Sequence, residues 1–191
     1  MAASEPLVRN AMAAEAPVPR APAGSERLLR PLHGLLALIA AWLVFTSPWI
    51  AMVRRIPPSA GWIDWAHVGL GLVAAVLAPA YAVACVRGGR WRLFAPFDRE
   101  GRAALARDLG GLLRGRRPAA EGRGLFALVE GLLMLALLVT AASGVAWFAM
   151  QGTDAATAWR EAHVLAARVL MAAAALHVVA VALHLVDLVR D

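Results

Sequence analysis

Five histidines, His33, His67, His163, His177 and His184, each lie in or at the edge of a long apolar segment, and the polar stretches of the chain hold none. An ionisable side chain is costly inside a bilayer, so a histidine there marks a functional site before it marks anything else. His163 and His177 are fourteen residues apart, and His177 and His184 seven. On a helix this spacing makes one stripe, because seven residues are nearly two turns. Fourteen residues rise about 21 Å along a helix axis. Ligands at His163 and His177 would therefore serve two metal centres, one near each face of a membrane.

The elements that position these residues are long and apolar. The chain has 191 residues, 61% of them hydrophobic, with a mean hydropathy of +0.64; soluble domains carry about 45–50% apolar residues. Four segments reach spanning length: Leu32–Val53, Ile63–Val86, Leu125–Met150 and Ala162–Val186. About 20 apolar residues cross the hydrocarbon core. None of the runs alternates as a strand would, and a lipid-facing backbone must satisfy its own polar groups, so each is expected to be a helix. Pro48 and Pro79 are expected to kink the first and second helices rather than end them. The fold class is an all-α membrane protein, a four-transmembrane-helix bundle.

Residues 1–27 lack the apolar core of a signal peptide and read as a disordered tail rich in Ala, Pro, Glu and Ser, leaving 28–191 as the membrane domain. The one cysteine, Cys85, can form no internal disulfide, and no CxxCH motif offers covalent haem attachment. All nineteen basic residues are arginine. Fifteen fall in the tail, in the loop 87–124 or at the C-terminus, and Arg54, Arg55 and Arg160 fall on the other side. The positive-inside rule then places both termini and the long loop in the cytoplasm. That bias accounts for the arginines without nucleic acid. Within the loop, Asp98 is a candidate N-cap for a surface helix whose Leu105, Leu109, Leu112 and Leu113 share a face, with Arg102 and Arg107 outside it.

Depth pairs the histidines. His67 and His163 lie near the periplasmic starts of the second and fourth helices. His33 lies at the cytoplasmic start of the first, level with His177. Two pairs at two depths suit two six-coordinate haems, for which neutral imidazole is a natural ligand and a helix bundle supplies apolar walls. Gly34, Gly69 and Gly71 beside His33 and His67 would let a porphyrin approach the backbone, although close helix packing explains small residues equally well. Zinc fits less well, because its tetrahedral sites gather ligands at one depth. A proton relay would need carboxylates at intermediate depth, and Glu130 alone offers that. Histidines that merely bridge helices, in a non-haem scaffold or transporter, are the remaining reading.

The run from His163 through Val-Leu-Ala-Ala-Arg-Val-Leu-Met-Ala-Ala-Ala-Ala-Leu to His177, followed by His184 and Asp187, resembles the last helix of bacterial cytochrome b561. The same pattern is similar to the b-type cytochrome subunits of nickel–iron hydrogenase and formate dehydrogenase. His67 with Gly71 and Arg87 resembles their second helix, Arg30 before His33 the start of their first, and Thr140 with Gly144 the end of their third. The resemblance spans about Arg27 to Asp191. It implies two b haems, ligated by His33 with His177 and by His67 with His163, and electron exchange with quinone. His184 matches a family histidine that is usually not an axial ligand. The Tyr-Asn…Gln stretch of the formate dehydrogenase subunits has no counterpart in Glu121–Glu130, whereas the long loop resembles the dehydrogenase and hydrogenase subunits.

The expected protein is thus a multi-pass cytochrome b of the bacterial inner membrane, carrying electrons between a periplasmic redox partner or subunit and the quinone pool. A free-standing oxidase of a small reductant such as superoxide, with quinone as acceptor, is the alternative. His184 and Glu130, with Arg87 and Arg123 nearby in sequence, form the candidate quinone site at the cytoplasmic level.

Overall fold

The computed structural model describes residues 23–87, 90–115 and 123–190, the side chains of 23–28, Leu93 and 183–190 excepted. Five α-helices run in chain order: α1 (Ala23–Thr46), α2 (Trp62–Arg87), α3 (Arg99–Leu112), α4 (Leu125–Ala149) and α5 (Ala155–Arg190). No strand occurs among the described residues. Four helices are long and apolar enough to cross a membrane, over Leu29–Trp49, Trp62–Arg87, Leu125–Ala149 and Ala155–Ala182.

The first span differs from its expected shape. Helix α1 starts at Ala23, inside the segment read as a tail, and it ends at Thr46 rather than continuing through Pro48. Pro48 has no N–H to give the carbonyl of Val44, four residues back. The Ser47 hydroxyl takes that carbonyl instead, at 2.9 Å, and Thr46 Oγ1 bonds the carbonyl of Trp42 at 2.9 Å. A short 3-10 turn, Ser47–Trp49, follows and ends the span. Pro79, by contrast, stays within α2 as expected. Helix α5 begins seven residues before the expected Ala162, because its first turns carry Thr157, Arg160 and Glu161 and so escape a hydropathy reading.

Helix α4 packs on α5 and on α2, and α2 packs on α1, so the long helices follow one another around the bundle in chain order. Small residues sit at these contacts: Ala74, Ala78, Ala127, Ala136, Ala166 and Ala173 are buried. Backbones approach closely through small residues when lipid offers no hydrophobic gain between helices. Large apolar side chains such as Leu38, Val76, Leu135 and Leu165 point outward, as a lipid-facing surface requires.

Two ends of the bundle are built differently. At one end, segment 50–61 folds over the α4–α5 turn. Trp147 Nε1 donates to the carbonyl of Val53 at 2.9 Å, Arg160 Nε to that of Met52 at 2.7 Å, and the Ile56 amide to Gln151 Oε1 at 2.9 Å. Gly152, with φ of +83°, turns the chain so that its amide reaches the carbonyl of Arg54 at 2.9 Å; a side chain at that φ would be strained. Trp49, Trp62, Trp65 and Trp159 stand exposed around this end, the usual place of an aromatic belt.

At the other end lies α3. Asp98 caps it, accepting from the Gly101 amide at 2.7 Å, as its sequence predicts. Leu109, Leu112 and Leu113 are exposed on it beside exposed Arg102 and Arg107. Asp108 on α3 accepts from the Leu125 amide at 2.9 Å and so joins α3 to the first turn of α4.

Candidate functional site

All four long helices line one cavity of about 370 Å³, and His67 from α2 and His163 from α5 both open onto it. That volume lies in the range of small-molecule and cofactor sites. Its walls are mostly apolar, with Leu43, Val44, Leu72, Leu137, Phe148 and Met171 among them. The folded segment 50–61 supplies Ile50 and Met52, which pack with Trp147, Ala156 and Val68 and close the cavity at that end.

The His163 ring is held from behind. Its Nδ1 lies 2.9 Å from the carbonyl oxygen of Thr140 and 3.4 Å from Ser143 Oγ. A carbonyl only accepts, so Nδ1 carries the proton and donates, and Nε2 keeps its lone pair. Room for the ring comes from Gly144, where an added Cβ would lie 3.1 Å from His163 Cε1 and 3.2 Å from Nδ1. His67 has no such support: its Nδ1 is buried without a hydrogen-bond partner. Gly71 lines the cavity, and a Cβ there, as at Gly34 and Gly69, would meet nothing within 4 Å. Close helix packing therefore does not explain these three glycines.

His33 and His177 are the second expected pair. They lie within electrostatic range of each other across the bundle. The His33 ring stands 5.8 Å from Tyr81, and the His177 ring 5.9 Å from Phe126. His177 Nδ1, like His67 Nδ1, is buried and unpartnered. A buried polar nitrogen without a partner is costly. Among the described residues, no three of His, Cys, Asp and Glu converge as a metal cluster would.

The residues grouped at the α3 end are only partly brought together. Arg123 pairs with Asp98 and Glu100, not with Glu130. Arg87 is exposed at the end of α2. The His184 side chain lies outside the described residues. Glu130 instead lies within electrostatic range of Tyr81 and Cys85, one turn apart on α2, as does Arg90. Sequence reasoning passed over Tyr81; its signal was its place as the single tyrosine of the chain, inside an apolar span. It also passed over Arg168, which lines the cavity from α5.

The sequence profile of prokaryotic cytochrome b561 matches residues 25–188, which takes in all four spans and all five histidines. The chain belongs to the prokaryotic cytochrome b561 family. No curated protein and no solved structure gives a significant match. As a member of this family the protein is a b-type membrane cytochrome of electron transfer, and the family binds b-type haem. The site residues fit such a group. His163 presents an Nε2 free of its Thr140 hydrogen bond, and a mostly apolar cavity is lined by His67, Gly71 and His163 together.

Proposed function

We propose that this cytochrome b561 carries two b haems and passes electrons between a periplasmic redox partner or subunit and membrane quinone. The observation that supports this most is the arrangement of histidines in two pairs, His67 with His163 at the cavity and His33 with His177 towards the α3 end. In this reading each pair ligates one haem. The haems supply the one-electron chemistry; the chain supplies axial nitrogens, spacing and a dry surrounding. The hydrogen bond from His163 to Thr140 orients its imidazole and raises its basicity, as partners behind metal-bound histidines do.

The termini and the arginine-rich end face the cytoplasm in this proposal. The His67–His163 pair is then the outer one, nearest a periplasmic partner, and the protein sits in the bacterial inner membrane. Quinone takes the cytoplasmic level, where Glu130, His184 and Tyr81 can exchange its protons. The test is pyridine haemochrome analysis of the purified protein from haem-supplied cells. About two non-covalent haems per chain, extractable by acid acetone, are expected; a colourless protein, or one haem, overturns the reading.

A further inference from the structure

Arg168 is a charged residue with no task in the reading above. It stands on α5 thirteen residues from Ala155 and fourteen from Ala182, the ends of the apolar span, and so near mid-membrane. Guanidinium stays protonated in proteins, and a charged side chain at such depth turns to a cavity or a counter-charge. Arg168 is exposed and lines the cavity that holds His67 and His163. Among the described residues it has neither a hydrogen bond nor an ion pair, and no acidic side chain lines that cavity. The hydrocarbon half-thickness is about 15 Å, which leaves a lipid phosphate far off, whereas the cavity is beside it. The charge must be balanced from within.

We propose that Arg168 is the counter-charge for an anionic group of the cavity's occupant: a carboxylate at the edge of the haem held between His67 and His163. This rests on the ligand assignment proposed above. Arg168 starts five residues from His163, about 7.5 Å along the helix and about 140° round it. It is therefore placed to reach the edge of a group ligated at His163 and not its iron. A guanidinium suits a carboxylate through two parallel N–H···O bonds. Neutralising that carboxylate also raises the reduction potential of the haem, because uncompensated negative charge nearby stabilises oxidised iron.

Equilibrium redox titration of the haem-loaded protein tests this, with the outer haem recognised as the one lost in His163→Ala. In Arg168→Met the reduction equilibrium of that haem is expected to move at least tenfold towards the oxidised form, about 59 mV for one electron. Its potential should also fall as pH rises, since the unpaired carboxylate now titrates in an apolar setting. Arg168→Lys keeps the charge and should stay within threefold of the native equilibrium. If Arg168→Met loses the outer haem while Arg168→Lys keeps it, the charge requirement is equally supported. Native potential and pH profile in Arg168→Met overturn the inference and leave the side chain to lipid or water. Equal damage in both variants overturns it too, since size and not charge would then matter. Native protein without haem would sink the ligand assignment itself, a separate result.

Discussion

His163 is tied to Thr140 across the α4–α5 contact: its Nδ1 lies 2.9 Å from the Thr140 carbonyl oxygen. The bond joins a side chain of one spanning helix to the backbone of another. It selects the tautomer that leaves Nε2 free towards the cavity.

Gly144 provides the space in which this bond forms. In Gly144→Ala the new Cβ would crowd the ring at 3.1–3.2 Å, and the imidazole must shift by a few tenths of an ångström. Low-temperature EPR should show one low-spin haem signal altered and the other unchanged. Gly144→Leu should abolish that haem altogether in pyridine haemochrome analysis. Two native signals in Gly144→Leu would detach this site from haem binding.

The ligand pairs predict two separable losses. His67→Ala and His163→Ala should each remove one low-spin signal, and His33→Ala and His177→Ala the other. His184→Ala should keep both. Loss of the inner signal in His184→Ala, with its survival in His177→Ala, would show that the ligand sits seven residues further along α5.

Quinone exchange is expected at the α3 end. Glu130→Gln and His184→Ala should slow quinol-driven haem reduction about tenfold or more, as loss of a positioned acid or base does, with both haems retained. Tyr81→Phe should act in the same direction. Stopped-flow rates equal to native in all three variants would move the site to the opposite end, near Trp62, Trp65 and Trp159.

The fold over the cavity rests on Trp147 more than on surface charge. Trp147→Phe removes the donor to the Val53 carbonyl and should cost about 1 kcal/mol, read as a lowered Tm in detergent. Arg54→Ala breaks the ion pair with Asp154 (2.6 Å), whose partners are half and fully exposed; such pairs contribute little, so Tm should hardly move. A larger fall in Arg54→Ala than in Trp147→Phe would reverse that ranking.

The four spans, the five histidines, the fourteen-residue spacing of His163 and His177 and the Asp98 cap were all legible in the sequence. Each depends on neighbours within a few turns: hydropathy over some twenty residues, or one side chain and an amide three places on. Tertiary structure decided what depends on partners far along the chain. It set Thr140 behind His163, gave Arg123 to Asp98 and Glu100 rather than to Glu130, and turned Arg168 to the cavity. Helix rotation and depth choose such partners, and these follow from where small residues such as Ala78, Ala136 and Ala173 let backbones meet. Hydropathy is nearly blind to that choice, because a lipid-facing leucine and a cavity-facing one read the same.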